Sequence, residues 1–217
     1  MIDLHTHTFF SDGELLPSEL VQRAETLGLA AVAITDHLDM SNLDLVLPRI
    51  LTAARELNRV HQVQTLAGAE LTHVPPSLIA GLTARARELG AQVVVVHGET
   101  IVEPVPPGTN RAALEAGVDI LAHPGLITRE EVQMAAERGV HLEISARKGH
   151  SLANGHVAAL ARQLGAKLVI NTDAHAPSDL MGLAFARKVG LAAGLSEAEV
   201  DAALANSRRL VERALGA

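Results

Sequence analysis

The chain is 217 residues long, carries a formal charge of −7 at pH 7 and contains no cysteine, tryptophan or tyrosine. The length suits a single domain spanning 1–217; missing thiols exclude disulfides and thiolate metal sites, and the acidic balance argues against a duplex nucleic acid partner, which needs many Lys and Arg contacts to phosphates. No basic and apolar leader opens the chain and no apolar run approaches the roughly 20 residues of a membrane helix, so the expectation is a soluble, cytoplasmic protein without a membrane partner.

Ile2 to His7 reads as the first strand, and its end carries Asp3-Leu4-His5-Thr6-His7. Gly28 leads into Ala31-Val32-Ala33-Ile34, followed by Thr35-Asp36-His37, and Val63 to Glu70 closes on Gly68-Ala69-Glu70. Gly90 precedes four valines and His97; Gly117 precedes Val118-Asp119-Ile120-Leu121 and then Ala122-His123-Pro124. Gly139 opens Val140 to Ile144, and Gly165 opens Leu168-Val169-Ile170, followed by Thr172-Asp173-Ala174-His175. Between these runs lie amphipathic stretches, and Ser196 to Leu215 is expected to close the chain as one helix or a pair. A glycine is the usual left-handed stop of a helix, and branched apolar runs suit parallel strands covered on both faces. About seven strands therefore alternate with helices around a parallel sheet. An open doubly wound sheet would gather its site at one switch point, whereas ligand-type side chains here end nearly every strand, which favours a barrel.

His5 and His7 are two apart on a strand and so share a face, as do Asp173 and His175. A buried Glu70 needs a cationic partner, and His97 and His123 leave their strands at the same end. Imidazoles and carboxylates without thiolates suit zinc, manganese or iron. In order and context, Asp3-Leu4-His5-Thr6-His7-Thr8 with Ser11-Asp12-Gly13, Thr35-Asp36-His37, Gly68-Ala69-Glu70, His97, Ala122-His123-Pro124-Gly125, Glu143-Ile144 and Asn171-Thr172-Asp173-Ala174-His175 resemble the PHP (polymerase and histidinol phosphatase) family of metallohydrolases, over essentially the whole chain.

That resemblance implies an α/β fold, a distorted seven-stranded βα (TIM-like) barrel, with three divalent metal ions. His5, His7, Glu70 and Asp173 would hold the first, Glu70, His97 and His123 the second, and Asp12, His37 and His175 the third. Asp36 is expected to partner a ligand imidazole and Asp3 to orient His5. In the loop after the strand ending at Ile144, Arg147 and Lys148 offer a fork and a point charge to a phosphate, Arg111 could add a third cation, and His150 is the candidate proton donor. His61, late in a helix, and His141, early in a strand, are expected to be structural or exposed, whereas His73 and His156 lie in or near loops. The expected reaction is hydrolysis of a phosphate monoester of a small metabolite, in the histidinol-phosphatase-like branch, by a hydroxide shared between two metals and with Glu70 and Asp173 at its centre. Cleavage of phosphodiesters in nucleotides or short single strands, with Phe9 and Phe10 stacking a base, is the competing expectation.

Overall fold

Each apolar run becomes a strand of one parallel sheet. The structure, a computed structural model, describes residues 1–216. The strands are β1 (Ile2–Thr6), β2 (Ala31–Ile34), β3 (His37–Leu38), β4 (Gln64–Leu71), β5 (Val93–His97), β6 (Ile120–Ala122), β7 (His141–Ser145) and β8 (Leu168–Asn171). The helices are α1 (Pro17–Thr26), α2 (Leu43–Leu57), α3 (Pro76–Leu89), α4 (Thr109–Ala116), α5 (Arg129–Arg138), α6 (Asn154–Leu164), α7 (Leu183–Ala192) and α8 (Glu197–Leu215). The expected left-handed glycines end α3 to α6 at Gly90, Gly117, Gly139 and Gly165. The closing segment is one helix, capped by Ser196, whose side chain accepts a hydrogen bond from the Glu199 amide. No described helix is long and apolar enough to cross a membrane.

The pairing order is β1-β2-β4-β5-β6-β7-β8, with β3 paired to β4. β2 and β3 are two pieces of one barrel position, because both run along β4. The break falls at Thr35, whose hydroxyl turns to the Thr6 amide and carbonyl at 3.1 and 3.2 Å. Its methyl lies against Gly68, where a Cβ would come within 2.8 Å of it. Seven strand positions therefore form a nearly closed barrel, as expected.

Closure between the first and last strands uses side chains as well as backbone. The amides of Asp173 and His7 donate to the carbonyls of His5 and Ala174 at 3.0 and 2.9 Å. Lower on the same seam the Leu4 amide donates to the Asn171 side chain at 3.0 Å, and the Thr172 hydroxyl donates to Asp3 at 2.5 Å. Asp3 is thus a seam residue: besides Thr172 its carboxylate meets the backbone amide of His5, at 3.4 Å, and it makes no hydrogen bond to that imidazole, so it does not orient the ring as expected.

β1 also carries a bulge. Asp3 pairs with Val32 and Thr6 with Ile34, so β1 holds one residue more than β2 over that interval. The insertion lets neighbouring residues point inward: Leu4 joins Ile2, Ala33, Leu66, Val95 and Val169 in the interior core, while His5 reaches the carboxylates above it. Leu210 and Val211 of α8 join this core, and Arg213 near the end of α8 reaches Asp119 just before β6.

Asp119 is buried at the end of the barrel opposite the histidines, accepts from the Val94 amide at 2.7 Å, and meets Arg87 at 2.5 Å as well as Arg213. Asp119→Ala strands that amide and two arginines that keep much of their solvent contact. Thermal unfolding should show a loss of about 2 to 3 kcal/mol, with activity at 25 °C unchanged. A loss of activity without a loss of stability would contradict that division of labour.

Candidate metal centre

The strand ends converge on one largely buried group of donors, open at Asp12, and backbone geometry is bent to make them converge. Among the described residues, the non-glycine residues with left-handed φ are His73 (53°), His123 (27°) and Asp173 (55°), and all three adjoin this group. Such conformations cost about 1 to 3 kcal/mol each and persist where surrounding structure enforces them. Asp12 arrives by a tight turn after β1. A Cβ on Gly13 would lie 2.5 Å from the His7 carbonyl, so only glycine lets the chain fold back there. Asp36 holds that turn, accepting from the Thr8 amide, the Thr8 hydroxyl and the Ser11 hydroxyl, each at 2.7 Å. Its carboxylate anchors the loop that delivers Asp12 and hydrogen-bonds no imidazole, which corrects the expectation from sequence.

Glu70 is the hub. One of its oxygens lies 3.1 Å from His5 Nε2 and 3.8 Å from His123 Nε2, the other 2.6 Å from His37 Nδ1 and 3.9 Å from His7 Nε2. Asp173 faces it, with oxygens 3.2 Å from His7 Nε2 and 3.6 Å from His123 Nε2. Asp12 Oδ1 sits 3.2 Å from the Nε2 atoms of both His37 and His175. His97 and His123 pack edge to face with ring centroids 4.4 Å apart. All nine expected ligands therefore meet, and their ligand atoms fall into compact subsets: His5, His7 and Glu70; His5, His123 and Asp173; His7, Asp12, His37 and His175; and His97 and His123 with His150.

The electrostatics are unbalanced without added positive charge. Burial pushes the Asp173 carboxyl up to about 7, with the Glu70 and Glu143 charges adding to it. Burial opposes charge on His5, yet Glu143, Asp173 and Glu70 hold its imidazole well above the ordinary value. Burial and neighbouring imidazoles push His7 and His123 well below it. Among the described residues, most buried side-chain polar atoms without a hydrogen-bond partner lie here, on His5, His7, His123, Glu70 and Glu143. Buried polar atoms left unpaired in this way are costly, and cations would satisfy their lone pairs. With nitrogen and oxygen ligands only, the set fits zinc, manganese or iron.

Residues 3–93 match the family profile of the PHP domain. Over 201 residues, 92% of this chain and 92% of the relative, the sequence is 49% identical to an uncharacterized protein of Methanocaldococcus jannaschii. The chain belongs to the PHP domain family. A second similarity, 27% identity over 80% of this chain, is to the DNA polymerase/3'-5' exonuclease PolX of Bacillus subtilis, of which it spans 34%. Among solved structures, the histidinol phosphate phosphatase of Lactococcus lactis, complexed with zinc, L-histidinol and phosphate, superposes with a TM-score of 0.57 at 17% identity, covering 98% of this chain and 93% of that one.

Around these nine donors, the structure sorts the remaining candidates. Arg147 lines the cavity of about 230 Å³ above them, its guanidinium donating to the Asp173 carbonyl at 3.3 Å and lying 3.7 Å from the Asp173 and Asp179 carboxylates. His150 lines it too. Lys148 is exposed and outside the cavity lining, and Arg111 pairs at 4.0 Å with Glu115 on the surface of α4. His61 lies in the turn beyond α2 rather than within it, bonded to Glu25 at 2.7 Å, while His141 is buried at the start of β7. His156 bonds the Ile127 carbonyl at 2.8 Å.

Two functional side chains carried no role in the sequence reading. Glu143 accepts twice, from His5 Nδ1 at 2.8 Å and from the Asn171 side-chain Nδ2 at 2.9 Å, so it, rather than Asp3, fixes the His5 ring. Its place in the Glu143-Ile144 motif at a strand end was the available signal. Glu103, on the loop stiffened by Pro104, Pro106 and Pro107, reaches His73 and His97 at 3.1 Å each and His150 at 3.4 Å. Those imidazoles, His97 first, hold its carboxyl down at about 2.

Proposed function

We propose that this PHP protein is a metal-dependent phosphoesterase that hydrolyses a phosphate monoester of a small metabolite, in the manner of histidinol phosphate phosphatases. One observation carries the reading: a continuous set of imidazoles and carboxylates, centred on Glu70 and Asp173, opens on a small cavity whose wall includes a single arginine, Arg147. The reading assigns three divalent ions of zinc, manganese or iron, one to His5, His7, Glu70 and Asp173, one to Glu70, His97 and His123, and one to Asp12, His37 and His175; the close approach of His5, His7 and Glu70, of His97 and His123, and of Asp12, His37 and His175 supports it. Bound there, such ions would supply Lewis-acid polarisation of the ester and acidified water near neutral pH.

The chain's own groups do the rest. Glu143 and Asn171 hold His5 in one orientation, and the Thr72 hydroxyl lies 2.7 Å from His37 Nδ1 and donates to Glu70 at 2.9 Å. Arg147 is half-buried and held by a carbonyl and two distant carboxylates, which leaves guanidinium hydrogens for phosphoryl oxygens; its planar fork gives orientation that a lysine would not. A cavity of about 230 Å³ suits a phosphoryl group and a small alcohol better than a polymer strand. The Lactococcus lactis neighbour's complex with histidinol and phosphate supports the same substrate size.

Arg147→Ala should lower kcat/KM for the best monoester by about 10² to 10³, the usual effect of losing one preorganised donor, and Arg147→Lys should recover little of it. Lys148→Ala should remain within about twofold of the native chain, since surface changes away from the site are near neutral. Equal effects at 147 and 148 in steady-state kinetics would overturn this assignment of the phosphate holder.

The similarity to a 3'-5' exonuclease supports a second reading, phosphodiester cleavage at a strand end, and Phe9, 56% exposed on the loop after β1, is placed to stack a base. Assays with monoesters including histidinol phosphate and nucleoside monophosphates, beside bis-p-nitrophenyl phosphate and a short oligonucleotide, separate the two in the presence of manganese or zinc. Orthophosphate from a monoester is the expected result. Cleavage confined to diesters or the oligonucleotide would replace it with the nuclease reading.

A further inference from the structure

The geometry points to His150 as an additional ligand of the second cation, a third imidazole beside His97 and His123. This rests on the reading of the site as a metal centre. The ligand atoms of His97, His123 and His150 all lie within 4.8 Å of one another, and all three side chains are buried. The His150 ring stacks on His123 with centroids 4.1 Å apart and planes 15° apart, and stands edge-on to His97 at 5.7 Å.

His150 also shares an orientation with the other ligand imidazoles. His5, His97 and His175 each tie Nδ1 to a neighbour, Glu143, the Gly98 carbonyl and the Asp173 carbonyl, and turn Nε2 to the interior. The Nδ1 of His150 is tied to the buried Thr100 hydroxyl at 2.7 Å. Its Nε2 faces Glu103 at 3.4 Å and Asp173 at 3.8 Å. The hydroxyl can accept the Nδ1 proton, and in that tautomer the Nε2 lone pair is free for a cation, which is how ligand histidines are held. Outside the site, His156 spends Nε2 on the Ile127 carbonyl, and His61, although it ties Nδ1 to Glu25, belongs to no cluster of ligand-type side chains among the described residues.

The backbone supports a fixed ring. Gly149 has φ of 91° and starts the short 3-10 turn His150–Ala153, and its Cα side packs against Val102 of the loop that carries Thr100 and Glu103. The loops after β5 and β7 thus lock together around His150, and that contact gives the ring the rigidity a ligand needs. As a proton donor instead, His150 would leave metal binding untouched when removed.

The test counts metal rather than turnover. The full chain and the variants His150→Gln and Thr100→Val are equilibrated by dialysis against buffered free zinc, and bound zinc is measured by inductively coupled plasma mass spectrometry; cobalt(II) spectra are recorded in parallel. The native chain should hold three equivalents. His150→Gln should lose one equivalent at free zinc that still fills the native sites, with a changed visible cobalt band. Thr100→Val, which keeps the ring but frees it, should weaken that one equivalent by about 10-fold to 100-fold. Three equivalents with unchanged affinity and spectrum in folded His150→Gln overturns the ligand role alone. A native chain that binds no zinc or cobalt overturns the metal-centre reading and this one with it.

Discussion

Glu70→Gln should lower kcat/KM by at least about 10³-fold, the several kcal/mol that metal-assisted charge stabilisation supplies, while far-UV circular dichroism stays native. Glu70 is fully buried and touches imidazoles from β1, β3 and the end of β6, so one carboxylate serves several donors at once. Glutamine keeps the volume and can still accept from Thr72, which limits the structural damage. It removes the negative charge that balances His5 and His37, the groups that hold the Glu70 carboxyl well below its usual range although burial opposes this. Activity within tenfold of native would show that Glu70 is a packing residue and would remove the centre of the proposed mechanism.

Zinc should raise the thermal midpoint strongly. Glu70, Glu143 and Asp173 crowd a buried space with imidazoles whose polar atoms are partly unsatisfied, so the metal-free fold carries a desolvation cost that bound cations would offset. An ion that binds only the folded chain contributes about 2.7 kcal/mol at 100 times its Kd. For a chain of this size each kcal/mol moves Tm by about 2 to 4 °C, so each filled site should add roughly 5 to 11 °C. Scanning calorimetry with and without a chelator measures this directly. A midpoint indifferent to zinc, manganese and iron would contradict the metal centre.

Most of the expected ligands were legible because they follow an apolar strand run, and a titratable side chain at that position has little reason to be there unless something charged meets it; Asp12, in the turn after β1, was marked only by the family motif. His97 after four valines and Asp173 after Val169-Ile170 are the clearest cases. The barrel followed from the same recurrence. Partnerships were harder to read. Asp36 was expected to partner a ligand imidazole, but the chain turns after β1 and brings Thr8 and Ser11 to it instead. Glu143 sits two residues along β7 from the buried His141, and only the barrel's curvature brings it under His5, 138 positions away. Glu103 lies in an irregular proline loop, where no periodicity predicts direction. The bulge in β1 left no mark in the apolar pattern, because Leu4 and His5 each look correctly placed on their own.

The seam between β1 and β8 gives the centre a role in folding order. Asp3 and Thr172 are bonded across 169 positions, and the donors above that seam come from both ends of the chain: His5 and His7 from the first strand, Asp173 and His175 from beyond the last. Closing so long a loop is entropically expensive and is postponed until local helix and strand pairs have formed. On that ground the binding centre is expected to assemble after β8 has docked, and an ion bound there would tie the two termini of the barrel together much as a covalent cross-link would. Loss of metal would then act first on that seam, opening the barrel between its oldest and youngest strands while the β4 to β7 half stays paired.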